Sequence, residues 1–167
     1  MFKKLLLAAL LLAPVSVMAQ KFGHYDGAVI ENLPEYKTAM TELEELGKNY
    51  QTELEEMQKE LQTRYEKYQQ EIKPTTPQNI VQRKQKEIED LQMRLQQANE
   101  DNTKAFQEAQ QQKMQPIIVK VQDAVSAVAK EGGYIYILDK RNSNHTFYIN
   151  ETVSEDVTDK LKAKLGL

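Results

Sequence analysis

Few residues in this 167-residue chain have the type and spacing that catalysis needs. There is no Cys, and the two histidines, His24 and His145, each stand alone in a segment of strand-like composition. Two acidic groups, at residues 42–45 and 53–56, resemble the paired carboxylates of general acid–base catalysis, but they lie beside an apolar stripe, as a solvated helix face would. Residues 47–49, Gly-Lys-Asn, lack the earlier Gly and the Ser or Thr of a phosphate-binding loop. We therefore predict no catalytic residue, no cofactor, no metal site and no enzyme activity.

The first nineteen residues predict a secretory signal peptide. Met1–Lys4 is a short basic start, Leu5–Leu12 is apolar, and small residues lead up to Ala19. The apolar run is shorter than the ~20 residues that span a bilayer, so we expect cleavage after Ala19 and export from the cytoplasm. An uncleaved anchor is the alternative.

The segment that follows Pro34 predicts a long helix. Apolar residues recur there every three or four positions, which places them on one helical face. They are Tyr36, Met40, Leu43, Leu46, Tyr50, Leu54, Met57, Leu61, Tyr65, Tyr68 and Ile72. Pro34 suits the first turn, where its missing N–H costs nothing.

A second stripe with heptad spacing predicts a second helix. Its residues are Ile88, Leu91, Leu95, Ala98, Asn102, Ala105, Ala109 and Gln112. Pro74 and Pro77 lie between the stripes and forbid one continuous helix. The sequence therefore predicts an antiparallel helical hairpin, the arm, over residues 34–115, with its tip near residues 73–79.

The size of the side chains suggests how the two helices align. If Ile72 faces Ile80, Leu54 meets Ala98 and Tyr50 meets Asn102, so large residues meet small ones in the half of the arm away from the tip. The predicted hairpin seam comprises Tyr50, Leu54, Met57, Leu61, Leu91, Leu95, Ala98 and Asn102.

The remaining residues predict a small base containing β-strands. Beyond Pro116 the apolar residues point to several faces of a helix that continues toward Glu131, so Ile117, Val121, Val125 and Val128 are predicted to need partners in an oligomer. Strand-like segments at 134–138 and 145–149 predict a β-hairpin, and Thr158 is predicted to cap a last helix. The fold class is therefore α+β, with the arm rising from a base of residues 20–33 and 116–167.

The distribution of charge limits the partners. The net charge is −3, and loss of Lys3 and Lys4 with the leader would make it −5, so nucleic acid, whose binding requires neutralised phosphates, is a poor candidate. A basic tip, Lys73, Arg83, Lys84 and Lys86, has no acidic residue within its span. It would steer that end toward anionic lipid or lipopolysaccharide, unless it serves solubility alone.

Short segments at both ends resemble the Skp/OmpH family. Residues 22–30, followed by Pro34-Glu35-Tyr36-Lys37, are similar to the first strand and helix start of that family. Residues 136–140, 147–150 and 156–159 resemble its closing strands and final helix. Each motif is modest, but their order and spacing match along the whole chain after the leader.

The resemblance implies an ATP-independent periplasmic chaperone, a homotrimer in which a β body holds three helical tentacles around unfolded outer-membrane proteins. Three short strands with open edges also favour an oligomer. Known members are strongly basic, a character that only the basic tip retains here. The sequence suggests no concave apolar pocket, so we expect client contacts to be spread along exposed helix faces. The alternatives are a structural or adaptor coiled-coil protein of the cell envelope and a subunit of a secretion or efflux assembly.

Overall fold

The computed structural model describes residues 20–141 and 148–167. In chain order the elements are β1 (Lys21–Tyr25), a 3-10 helix (Gly27–Asn32), α1 (Pro34–Glu71), α2 (Gln78–Gly132), β2 (Tyr134–Asp139), β3 (Glu155–Asp156) and α3 (Thr158–Leu165). Two long helices and a small sheet confirm the predicted α+β class. The predicted signal peptide, residues 1–19, lies outside the described residues.

The chain divides into two compact units, which we describe separately. The arm unit is Ala28–Asp123, and the sheet unit joins the residues up to Gly27 with Ala124–Gly166. Neither contains a helix long and apolar enough to cross a membrane, within the part of the chain that the structure describes.

Prolines set the ends of α1. Pro34 is its first residue, as the sequence predicts, and the helix ends at Glu71 because Ile72 is extended and Pro74 follows. In the turn, the Thr76 N–H donates to the Lys73 carbonyl at 2.9 Å, and the Lys73 N–H donates to the Thr76 hydroxyl at 2.8 Å. The turn is thus closed by its own polar groups.

Helix α2 runs through Pro116 without ending, which confirms that the second helix continues past this residue. A proline inside a helix removes the hydrogen bond to the carbonyl four residues earlier, here that of Gln112. At Gly132 the helix stops, and Gly133 takes a left-handed φ of 67° before β2 begins.

The sheet unit is built on three parallel strands in the order β2-β1-β3. In the β1–β2 register, Phe22 pairs with Tyr136 and His24 with Leu138, while on the other side His24 pairs with Asp156. Among the described residues β2 pairs with β1 and runs parallel to it. The second strand of the β-hairpin predicted for residues 134–138 and 145–149 falls largely outside the described residues, so that prediction stays a prediction. Residues 145–147 of that prediction lie outside the described part, and residues 148–149 are irregular.

Helix α3 closes the sheet unit and buries Leu161 and Leu165, as its amphipathic pattern predicts. The predicted capping role of Thr158 is wrong, because Thr158 is the first helical residue. The N-cap position is Val157, whose side chain makes no capping hydrogen bond. The Asp156 carboxylate, one residue earlier, accepts hydrogen bonds from the Thr158 N–H at 2.9 Å and from its hydroxyl at 2.5 Å, which satisfies the first N–H of the helix. Gly166 ends the helix with a φ of 79°.

Candidate functional site

Five polar contacts join α1 to α2 among the described residues of the arm unit. The Gln85 amide donates to the Tyr68 hydroxyl at 3.0 Å, and in the other four a lysine or asparagine on α2 meets a glutamate on α1. Lys84 contacts Glu71 at 2.6 Å, Asn102 donates to Glu53 at 3.0 Å, Lys113 donates to Glu42, and Lys120 contacts Glu35 at 2.6 Å. We call these four pairs the clasps. From one clasp to the next, both helices advance by the same 18, 11 and 7 residues, in opposite directions. Each step is close to a whole number of helical turns, so the clasps define a single antiparallel register.

The predicted seam residues lie along the inner stripes of the two helices. Leu91 is buried at 2% exposure, and Tyr50, Leu54, Met57, Leu61, Leu95, Ala98 and Asn102 are half-buried. Ala39 and Leu43 are buried on α1. By contrast, Met40 and Tyr65, which the apolar pattern placed on the stripe, are 45% and 52% exposed.

The contacts of Asn102 and Gly47 differ from the alignment suggested by side-chain size. The Asn102 amide donates to the Glu53 carboxylate, whereas the pairing of the helices by side-chain size placed Asn102 opposite Tyr50. One helical turn away, the Phe106 ring lies against Gly47, 3.4 Å from where a Cβ would stand. Phe106 falls outside the heptad pattern, so the spacing did not predict that it packs between the helices. The one signal was Gly47, since an isolated glycine inside a helix costs about 1 kcal/mol and is unusual there.

Two adjoining grooves, with volumes of about 720 and 340 Å³, run along the arm between the helices. They share Leu54, Gln58 and Asn99, so they form one trough. Seven of the lining residues are half-buried and form the floor: Gly47, Tyr50, Leu54, Leu61, Leu95, Phe106 and the polar Asn102. The expectation that the chain has no concave apolar site is therefore wrong, because Phe106 and Gly47 shape a hollow that a heptad count does not reveal.

The walls of the trough are neutral amides. Gln51 and Gln58 contribute from α1, and Gln92, Asn99, Gln107 and Gln110 contribute from α2. Glu55 is the one charged residue among those that line either groove, and the Gln51 amide donates to it at 2.8 Å. On α1, the helical period places the wall residues and the clasp carboxylates on opposite sides of the buried stripe.

The ion pairs of the arm shift the pKa values of their carboxyl groups. The hydrogen bond from Lys120 holds the pKa of Glu35 below its ordinary value, and the hydrogen bond from Lys84 does the same for Glu71. Both carboxylates are exposed to solvent, so their ion pairs contribute little to the free energy of folding. Their main effect is to fix the alignment of the two helices.

The basic tip is partly neutralised. Its four residues are Lys73, Arg83, Lys84 and Lys86. Lys84 is paired with Glu71, and the Arg83 guanidinium lies 3.9 Å from Glu87. Among the described residues, Lys73 and Lys86 have no ion pair, so two free cations remain near the turn.

The four residues predicted to need oligomer partners are covered within the single chain. Ile117, Val121 and Val128 are buried, and Val125 is half-buried. Among the described residues of the sheet unit, the exposed large apolar side chains are Phe22, Ile135, Tyr136, Tyr148 and Val153. The Phe22 and Tyr136 rings, on the neighbouring strands β1 and β2, stack with centroids 6.2 Å apart. An apolar surface in this unit therefore lies on the sheet.

The candidate chemical groups have structural partners. His24 is buried, with its Nδ1 atom 2.9 Å from the Ser154 hydroxyl oxygen. His145 lies outside the described residues. In residues 20–141 and 148–167, no three His, Asp or Glu side chains are grouped to hold a metal ion.

A comparison with known protein families matches residues 21–165 to the family described as "Outer membrane protein (OmpH-like)". A comparison with curated protein sequences finds no match. The family consists of periplasmic chaperones associated with outer-membrane proteins rather than enzymes. Because the matched region includes the arm, the sheet and the closing helix, the chain belongs to the OmpH-like family.

Proposed function

We propose that this protein is a holdase that binds unfolded outer-membrane proteins in the periplasm, without ATP, in a cavity between the arms of a homotrimer. Membership of the OmpH-like family supplies the client class. The proposal adds the trimer, the cavity and the absence of a nucleotide step.

The observation that carries the proposal is the arm. Helices of 38 and 55 residues share one narrow buried stripe, so most of their surface stays in water. At about 1.5 Å per residue, α1 alone is ~57 Å long. Such a surface suits many weak contacts with an extended chain, and several arms on one oligomer would raise the effective concentration of each contact.

The interior of α1 includes the one segment, residues 47–49, that was compared with a phosphate-binding loop. Residues 47–49 are helical, and the Phe106 ring packs against Gly47. This segment therefore does not form the loop of backbone N–H groups that cradles a phosphate. Release of a client would follow from the weakness of each contact.

The sheet unit supports assembly. Within residues 20–141 and 148–167, β2 and β3 are the outer strands of the sheet, and Ile135 and Tyr136 are exposed on β2. Open strand edges and exposed apolar side chains are surfaces that oligomers cover. A symmetric trimer would cover them three times in the same way.

Export and surface contact complete the proposal. We expect the leader to be cleaved after Ala19, so that N-terminal sequencing of the periplasmic protein begins at Gln20. Lys73 and Lys86 could contact anionic lipid or lipopolysaccharide weakly, through charge alone.

The proposal is tested by diluting an unfolded outer-membrane β-barrel protein out of urea and following its aggregation by light scattering. One trimer per client should suppress aggregation without ATP, and an excess of folded soluble proteins should not relieve the suppression. If folded proteins compete as well as unfolded ones, the protein is an adaptor of the envelope and not a holdase.

A further inference from the structure

The trough offers hydrogen-bonding groups that no other group in the described part of the chain uses. The side-chain amides of Gln58, Gln92, Asn99, Gln107 and Gln110 are exposed and make no hydrogen bond within the residues that the structure describes. Each amide carries both a donor and an acceptor. Three other amides of the trough are in use, since Gln51 and Gln96 donate to a carboxylate one turn away and Asn102 donates to Glu53. Outside the trough, Gln62 and Gln97 also donate to a carboxylate one turn away. The five free amides thus leave donors and acceptors unpaired above an apolar floor.

These groups suit an extended peptide better than a helix. A helix satisfies its own backbone N–H and C=O groups, whereas an extended segment brings every one of them unpaired. Side-chain amides can form hydrogen bonds with the backbone of such a segment in either chain direction, because each amide can both donate and accept. The near absence of charge in the trough also avoids the cost of burying a carboxylate or an ammonium group under an apolar segment.

The dimensions of the trough fit a short strand. From Gly47 to Leu61, α1 rises by roughly 21 Å at 1.5 Å per residue. An extended chain at about 3.3 Å per residue covers that length with about six residues. Alternate side chains of a strand point to one face, so about three of them would meet the floor.

We infer that the trough is a binding subsite for six-residue extended segments in which apolar and polar residues alternate. The inference rests on the proposed function, because outer-membrane β-barrel strands have this alternation. The apolar side chains would contact Tyr50, Leu54 and Phe106, while the amides on both walls bond to the backbone. The trough would then bind unfolded barrel strands of many different sequences, and it would prefer those in which apolar and polar residues alternate.

The test uses the full-length chain and two fluorescein-labelled ten-residue peptides of identical composition. One peptide alternates Val or Tyr with Thr or Ser, and its isomer has the apolar residues in one block. The trough variant is Gln58→Ala, Asn99→Ala and Gln107→Ala combined. The matched control is Gln70→Ala, Gln82→Ala and Gln111→Ala, three exposed amides outside the trough. Alanine favours the helix at all six positions, so both variants should remain folded.

Fluorescence anisotropy should show that the wild type binds the alternating peptide at least tenfold more tightly than its isomer. The trough variant should lose roughly tenfold or more in affinity, as expected for several lost hydrogen bonds, and the control should stay within about twofold of the wild type. Equal affinity for the two peptides, or full affinity in the trough variant, overturns the subsite.

The same proteins separate this inference from the proposed function. If the subsite fails while the wild type still suppresses aggregation of an unfolded barrel protein, the holdase stands and clients bind elsewhere on the arm. If the wild type suppresses nothing, the holdase fails whatever the peptides show. Because the chain has no Cys, Asn99→Cys carrying an environment-sensitive dye reports occupancy of the trough directly, with Gln70→Cys as the reference position. A signal from both dyes alike counts against the trough.

Discussion

Two glycines illustrate how single residues depend on their surroundings. The Gly27 N–H donates to the Asp139 carboxylate at 3.1 Å, and a Cβ on Gly27 would stand 2.6 Å from both carboxylate oxygens. Asp139 also accepts from the Arg141 N–H at 2.9 Å, so it is not free to move away. A Cβ added to Gly47, inside α1, would lie 3.4 Å from the Phe106 ring, which is an ordinary van der Waals contact.

The same substitution should therefore have opposite effects at the two positions. Gly27→Ala forces Asp139 to shift and should lower the free energy of unfolding by roughly 1–3 kcal/mol. Gly47→Ala should be neutral or should raise it by up to about 1 kcal/mol, because alanine favours the helix. Urea unfolding followed by circular dichroism measures both. A Gly27→Ala protein as stable as the wild type would show that the contact with Asp139 is not tight.

At the scale of the elements, the clasps align two helices that share little core. Glu35 and Glu71 have pKa values lowered by their lysine partners. A carboxyl whose folded pKa is depressed contributes stability above its unfolded pKa, and that contribution disappears as the pH falls through the folded value.

We expect the thermal midpoint of the arm to fall as the pH drops below the ordinary glutamate pKa of about 4.3. Melting curves by circular dichroism between pH 7 and pH 3 would measure the dependence. Glu35→Gln with Glu71→Gln should flatten it, whereas Glu44→Gln, at an exposed glutamate outside the clasps, should leave it unchanged. A pH profile that is the same for all three proteins would contradict this role of the clasps.

Pro116 is a second feature at this scale, because α2 continues through it with one hydrogen bond missing. Pro116→Ala restores a donor for the Gln112 carbonyl and should stabilise the helix by up to ~3 kcal/mol. Hydrogen exchange should slow in the turn before residue 116 and stay unchanged near residue 95. Unaltered exchange in that turn would show that Pro116 is not a weak point of the arm and would remove it as a candidate hinge.

The helices could be predicted from the sequence, whereas most of the sheet could not. A stripe with three- and four-residue spacing, interrupted by Pro74 and Pro77, leaves few alternatives to two long helices. Strand β3 consists of Glu155 and Asp156, two exposed charged residues, so no alternation of apolar and polar residues predicts it. Parallel pairing of β1 with β2 joins residues more than 100 positions apart, which local patterns do not encode.

The site shows the same division. The spacing of three and four residues identified the half-buried stripe of α1 but counted Met40 and Tyr65 as part of it, since spacing alone cannot say how wide the stripe is. The trough depends on the exact stagger of the two helices, which the clasps set through side-chain reach. Nothing in the spacing of Asn102 indicated that it bonds Glu53.

At the scale of the whole molecule, assembly determines whether several arms can act on one client. The exposed stack of Phe22 and Tyr136 lies on the sheet, whereas Val121 is only 6% exposed in the single chain. A charge on the stack would disfavour assembly without disturbing the fold of the chain. A charge at Val121 would be buried and unpaired.

We therefore expect Tyr136→Asp to give folded monomers and Val121→Asp to give unfolded chains. Light scattering measures the mass, and circular dichroism measures the helix content of each. Lys21→Ala, at an exposed residue of β1, provides a control that should remain a trimer. A wild type with the mass of a monomer would end the trimer proposal.

In the proposed function the arms hold the client, and deletion of the arm tests this claim most directly. Replacing residues 50–102 with a short Gly-Ser linker keeps the Glu42–Lys113 and Glu35–Lys120 clasps and removes most of the trough. Circular dichroism and light scattering should first show that this armless protein is folded and has the mass of a trimer of the shortened chain. Aggregation of an unfolded outer-membrane β-barrel protein, without ATP and at one trimer per client, is then the decisive measurement. The account predicts suppression by the full protein and none by the armless one, and equal protection by both would contradict it.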